Sequence, residues 1–247
     1  MQVTFVSPGS IAAALQVPHG VTAIVGGGGK TTIMQSLADE LAERARVLIT
    51  TTTHIWVPDW APVLLNPTAA EMERAFLDYP ARPVCVAAAA PSGKLCACEM
   101  PMEKLAQLAD YVLVEADGAK RLPLKAPAPH EPVIPKEARL VLAVAGLDGV
   151  GQPISKTAFR PERYAALLHT TEDHIITPRD AAIILCHANG LRKAVEREMR
   201  FSIVLNKADD RERVQLATEI AAHIPQCLAE LVICTSFKGE DQYVGTD

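Results

Sequence analysis

Four consecutive glycines stand between an apolar run and a Lys-Thr-Thr triplet in the stretch IVGGGGKTT, residues 24–32. What flanks them decides what they are for. GVTAIV, residues 20–25, is a short apolar run of the kind that forms a strand buried on both faces. TTIMQSLADELAERA, residues 31–45, places Ile33, Leu37 and Leu41 at helical spacing with charge on the other face. A linker has no reason to join a buried strand to an amphipathic helix, whereas a phosphate-holding loop must do so. A helix start supplies unpaired N–H groups and the positive end of a dipole. Gly26, Gly27, Gly28 and Gly29 let the backbone turn and approach an anion closely. Lys30 adds a mobile cation for the outer phosphates and Thr31 a hydroxyl for Mg²⁺, and Thr32 belongs to the same nucleotide-binding stretch.

The rest of the chain alternates β-rich runs with helical ones, which predicts an α/β fold of the P-loop NTPase type, a mainly parallel sheet flanked by helices. Strands are expected at 46–50, 83–90, 110–118, 138–146, 201–209 and 230–239, the later ones including their exit loops. Helices are expected at 68–79 with Thr68 as N-cap, near 102–109, and at 211–224. Residues 160–200 read as mostly helical, broken at Pro178 and at Asn189-Gly190. Residues 121–135, RLPLKAPAPHEPVIP, carry too many prolines for helix or central strand and form an irregular, stiff loop. With no repeat and no low-complexity linker, residues 1–247 read as a single domain with a helical insertion or lobe at about 150–200.

Composition narrows the functional classes. A net charge of −5 and 4% aromatic residues argue against nucleic acid as a partner. The first twenty residues lack the charged and apolar regions of a signal peptide, and no apolar run reaches the length of a membrane span. A cytosolic, cytoplasmic protein without membrane contact is the expectation. The six cysteines then read as reduced thiols, with Cys85, Cys186 and Cys234 acting as small hydrophobes. Cys96 and Cys98 share one face of an extended segment, a geometry open to a soft metal or chalcogen. With no second Cys/His pair nearby, the plainer reading is two thiols on a strand.

The loop departs from G-x-x-x-x-G-K-[ST], whose first glycine would fall at Ile24. It fits better the compact G-G-x-G-K-T form of the dimerising P-loop proteins of the signal-recognition and nitrogenase-iron-protein class. Those often carry a lysine just before the glycines, where this chain has Val25. A homodimer therefore stays open, without activation in trans by such a lysine. Mg²⁺ needs an acid at a strand end, and VLVEADG offers Asp117 first and Glu115 second. One threonine of TTTTHIW, residues 50–56, is a further candidate for the metal or the γ-phosphate. His54 in the same run is a candidate for orienting water or substrate, against a packing role beside Trp56. Late in the chain Asn206, Lys207 and Asp209 spell N-K-x-D at a strand exit, and Ser236 and Lys238 follow the next strand like a relaxed S-A-K loop. In the GTPases this pattern resembles, the carboxylate accepts from guanine N1–H and the 2-amino group, a pairing adenine cannot reproduce. GTP is accordingly favoured over ATP.

The combination of VGGGGKTT, TTTTHIW, VLVEADGAKRLPLKAPAPHEPVIP and NKAD is similar to the YqeC family over nearly the whole chain. That resemblance implies a P-loop protein serving the maturation of selenium-dependent molybdenum hydroxylases, acting on or delivering a selenium-containing cofactor. The most specific segment, Glu115 to Pro135, adds Lys120, Arg121 and Lys125 as candidates to face a γ-phosphate or an anionic substrate such as a pterin phosphate. His130 and Glu131 add an acid/base pair, and Arg160 is a further anion contact. Three readings follow: an NTP-hydrolysing maturation factor, a small-molecule kinase or ligase-like transferase acting on a cofactor precursor, and a non-enzymatic nucleotide-bound adaptor for a molybdenum enzyme.

Overall fold

The computed structural model describes residues 1–238, so Gly239 at the end of the last predicted segment lies outside the described residues. Their centre is an eleven-stranded sheet. Its path runs Thr4–Phe5, Val232–Thr235, Arg200–Asn206, Ala138–Gly146, Gly20–Gly26, Tyr111–Glu115, Val47–Thr51 and Val84–Ala89, every neighbouring pair parallel. Val63–Leu65 also pairs parallel with Val84–Ala89. A short antiparallel ribbon, Leu95–Cys96 with His54–Ile55, extends from the end of Val84–Ala89. Leu124–Lys125 and Ala158–Phe159 form a separate two-stranded piece.

The strand residues explain why the sheet is buried on both faces. Val21, Ala23 and Val25 point into one apolar cluster and Ile24 into the other, so alternate residues fill opposite faces. On the Ile24 side the helix Lys30–Ala42 contributes Ile33, Met34, Leu37 and Leu41. On the other side lie the buried residues of Ala69–Asp78, Met102–Leu108, Pro161–Leu168, Pro178–Cys186 and Arg211–Ala222. The Thr68 cap is present with its reciprocal Glu71 partner, and Thr177 with Asp180 repeats the device before Pro178–Cys186.

Two segments differ from the expectation. Residues 160–200 are helical only at Pro161–Leu168 and Pro178–Cys186, and 187–199 run in turns. The second helix ends where His187 turns extended, with φ −66° and ψ 140°, ahead of the Asn189-Gly190 turn, and nothing after it restores an apolar stripe. The N-terminal residues, for which no element is expected, supply the edge strand Thr4–Phe5 and the helix Ile11–Leu15. That helix has no side-chain cap of its own, and the buried Glu40 carboxylate accepts from the amides of Ala12 at 2.7 Å and Ala13 at 2.9 Å. Among the described residues no helix is long and apolar enough to cross a membrane.

Because the strands are parallel, their carboxyl ends share one side of the sheet. The register aligns Gly26 with Val144, Glu115 with Ile24 and Thr51, and Asn206 with both Gly146 and Thr235. Ligands of open α/β sheets gather at this edge.

Candidate nucleotide site

The strand Gly20–Gly26 leaves the sheet through three glycines and becomes a helix at Lys30. Gly26, Gly28 and Gly29 have φ of +100°, +71° and +112°, a region where a side chain is strained. Space forbids one as well: a Cβ on Gly28 would lie 2.1 Å from the Gly146 nitrogen, and one on Gly29 2.3 Å from Asn206 Nδ2. The glycines are thus required by conformation and by close packing. Part of the loop's own donors are already used, since the Gly27 amide donates to Val144 O and the Gly28 amide to Leu122 O, both at 2.9 Å. The amides of the first helical turn remain, behind a Gly29 N-cap without a side-chain partner. They are the anion-seeking groups of the loop.

Around them lies a cavity of 730 Å³ lined by Gly27 to Thr32, Thr53, His54, Glu115, Lys120, Arg121, Glu131, Arg160 and Lys207, among others. Gly26 lies just behind it, its amide donating to both Asp117 carboxylate oxygens at 3.1 and 3.0 Å. Lys30 reaches the cavity but is 5% exposed, its ammonium held by Gly26 O at 2.7 Å and Asp117 Oδ1 at 3.2 Å. The Thr31 hydroxyl donates to Glu115 Oε2 at 3.4 Å. Burial raises the Glu115 carboxyl above its ordinary range, with the Lys30 charge opposing.

The two acids of VLVEADG therefore occupy different places. Glu115 lines the cavity beside Thr31, whereas Asp117 is fully buried and bonded to the loop amide and to two lysines. Lys125, expected to face the anion, is instead buried, its ammonium 2.9 Å from Asp117 and 2.6 Å from Glu131. Two carboxylates hold one cation inward because a buried ammonium without them would carry a large desolvation cost. Arg160 closes the chain with a two-point pair to Glu131, at 2.7 and 3.1 Å, and stacks over the Phe159 ring at 4.3 Å from its centroid. Burial alone would raise the Glu131 carboxyl, but the hydrogen bonds and charges of Arg160 and Lys125 prevail and hold it at about 2. Glu131 and His130 do not form a pair in the site: His130 is exposed on a turn and does not line the cavity. An acid already committed to two cations is not free to partner it.

The threonine run is sorted by its hydrogen bonds. Thr50 donates to Val86 O, Thr51 to Glu115 O and Thr52 to Val133 O, leaving Thr53 on the cavity wall. Cys96 and Cys98 lie at and just after a short strand, their thiols within 3.6 Å of the Ala88 and Met100 carbonyls. Among the described residues no group of three or more His, Cys, Asp or Glu side chains is placed to hold a metal ion.

The late motif wraps the other side of the glycine loop. Asn206 Nδ2 donates to Gly28 O at 2.7 Å, and Lys207 pairs with Asp148 at 2.7 Å while lining the cavity. Asp209 accepts from the Ser236 hydroxyl at 2.6 Å and faces Arg213 and Lys238 at 2.9 and 3.3 Å. Burial would raise its carboxyl, but Ser236 and Lys238 outweigh that and keep it below the usual carboxylate range. Asp209, Ser236 and Lys238 lie outside the cavity, past Lys207.

Four residues of the arrangement carry no sequence signal of their own. Lys193 donates to the carbonyls of Ala128, Pro129 and Glu131, and Arg163 to that of Pro127, so the 150–200 region staples the proline-rich loop. Asp148 and Phe159 act through Lys207 and Arg160.

The profile of a family described as "YqeC protein" matches residues 22–162, which span the glycine loop, the threonine run, the proline-rich loop and Arg160. Among curated proteins, "Uncharacterized protein YqeC" of Escherichia coli (strain K12) is 33% identical over 213 residues, covering 83% of this chain and 83% of its own. No solved structure matches the chain.

Proposed function

Since the chain belongs to the YqeC family, we propose that its glycine loop binds a nucleoside triphosphate and that the protein hydrolyses it with Mg²⁺. GTP is the preferred nucleotide and ATP the weaker one. The observation that carries this reading is the convergence of Thr31 and a buried Glu115, 3.4 Å apart, at the uncapped start of the loop's helix. A hydroxyl and a carboxylate facing one cavity form an all-oxygen donor set, which suits a hard cation. Glu115 thus takes the metal role, ahead of Asp117. Mg²⁺ held there by Thr31 and Glu115 would supply neutralisation of the triphosphate's charge.

The chain's own residues supply the rest. Lys30 exchanges Gly26 O for the phosphates, and Asp117 keeps the loop amide and Lys125 in place as it does so. Thr53 on the cavity wall is placed to orient water. Asp209, ionised and fixed by Ser236, is an acceptor-only group of the kind that guanine N1–H and the 2-amino group require. To accept from them it would exchange its Arg213 and Lys238 partners outside the cavity. Family membership supports coupling of turnover to maturation of a molybdenum hydroxylase, through its selenium-containing cofactor or a precursor of it.

Turnover assays with GTP and ATP test the scheme. Phosphate release without a phosphorylated product is expected; a new covalent product would replace it with the kinase or ligase reading, and tight binding without turnover with the adaptor. Lys30→Ala should abolish binding or turnover in a folded protein, and unchanged affinity and activity would remove the nucleotide site. Asp209→Ala should weaken GTP selectively, and a wild-type preference for ATP would remove the guanine assignment.

A further inference from the structure

The cavity is larger than a phosphate tail requires. At 730 Å³ it has the size of a whole small-molecule site, yet the residues assigned to the base, Asp209 and Ser236, lie outside it. A triphosphate on the glycine loop would fill one end. The cavity lining also includes Trp56, Trp60 and Phe159 and the cations Lys94, Lys120 and Arg121. Lys120 and Arg121 directly precede Leu122, whose carbonyl accepts from the Gly28 amide, so they stand beside the glycine loop.

Those three cations differ from the rest of the site. Lys30, Lys125, Arg160 and Lys207 are each paired with a carboxylate, but among the described residues Lys94, Lys120 and Arg121 have no ion pair. Lys120 and Arg121 are also consecutive residues in the left-handed region, with φ of +47° and +63°. Side chains occupy that region at a cost, and both of these residues line the cavity. Trp56, which lines the same cavity, is 61% exposed although Lys94 Nζ stands 4.7 Å over its ring.

We propose that the cavity binds, beside the nucleotide, a second, anionic small molecule with an aromatic or otherwise flat body. Its phosphate or carboxylate would be held by Lys120 and Arg121 and its body by Trp56, next to the outer phosphate of the nucleotide. The proposal rests on the nucleotide reading for that adjacency and adds the class of the co-substrate.

The chain has two tryptophans, and both line this cavity, so their emission reports on the site alone. Full-length protein saturated with Mg²⁺ and a non-hydrolysable GTP analogue is titrated with phenyl phosphate, and with phenol as the uncharged control. A saturable emission change is expected, at least tenfold weaker with phenol and at least tenfold weaker in the Lys120→Gly/Arg121→Gly double variant. Glycine suits the left-handed backbone, so that variant should keep its melting temperature. Absence of a saturable change, equal response to phenol, or an unaffected double variant would overturn the proposal. So would phenyl phosphate binding only before the GTP analogue is added, since the two cations would then serve the nucleotide itself. The two readings fail separately: if the analogue does not bind but phenyl phosphate titrates as described, the nucleotide reading falls and the anion site stands.

Discussion

The side-chain amide of Asn206 donates to the backbone carbonyl of Gly28 across 2.7 Å, tying the late strand Arg200–Asn206 to the middle of the glycine loop. The Asn206 oxygen accepts the following Lys207 amide at 2.8 Å, so the side chain is held at both ends. Asn206→Ala should leave a buried carbonyl unpaired, at about 1–2 kcal/mol. If the loop binds nucleotide as proposed, GTP and ATP analogues should lose affinity together by calorimetry, unlike in Asp209→Ala, where GTP alone should suffer.

The glycines make a graded prediction. Gly28→Ala would put a methyl group 2.1 Å from the Gly146 nitrogen at φ +71°, with backbone on both sides that has nowhere to move. A loss of about 3 kcal/mol and of nucleotide binding is expected. A methyl group on Gly118 would meet no heavy atom within 4 Å, and the residue has no left-handed φ, so Gly118→Ala should be silent in denaturation, while its methyl group would enter the cavity that Gly118 lines.

Glu40 is the test of the N-terminal helix. It accepts two amides of Ile11–Leu15, a helix without a side-chain cap of its own. Glu40→Ala should therefore cost about 2 kcal/mol in chemical denaturation, as charged hydrogen bonds do. Glu40 sits near the carboxyl end of Lys30–Ala42, away from the glycine loop at its start, so nucleotide affinity of the folded protein should be unchanged.

How far these contacts are readable depends on their range. Gly26 to Thr32 and their flanks are one local pattern, and the strand–loop–helix they predict is present. Thr68 is legible as a cap because capping is settled within three residues. Lys125 is not, because nothing nearby in the chain says that Asp117 and Glu131 close around it, and a lysine in a proline-rich loop looks exposed until the fold brings two carboxylates to it. Thr4–Phe5 escapes for a similar reason. Two residues have no period of their own, and Val232–Thr235 makes them a strand.

The pH dependence of stability follows from Glu131. Its carboxyl ordinarily titrates near 4.5 and is held at about 2 in the folded chain by Arg160 and Lys125, despite burial. A depressed folded value means that its contribution is fully present above 4.5 and is lost as the pH falls through 2. Thermal unfolding of wild type should thus decline over that acid window. Glu131→Gln should start lower at neutral pH and decline less steeply, so that the two curves converge in acid.

Asp117 and Glu115 should separate folding from turnover. Asp117 is 0% exposed and stands between Lys30 and Lys125 while accepting the Gly26 amide. Asp117→Asn keeps the shape but removes the negative charge from between two buried ammonium groups, and breaking a buried pair costs about 3–5 kcal/mol. Glu115→Gln acts oppositely: burial already opposes the charged form of Glu115, and Lys30 keeps Asp117 as its nearer partner. Its melting temperature should be equal to or above that of wild type, while Mg²⁺-dependent phosphate release falls by at least a hundredfold. Calorimetric melting alongside phosphate release reads both, and a stable but inactive Asp117→Asn beside an active Glu115→Gln would reverse the roles of the two acids.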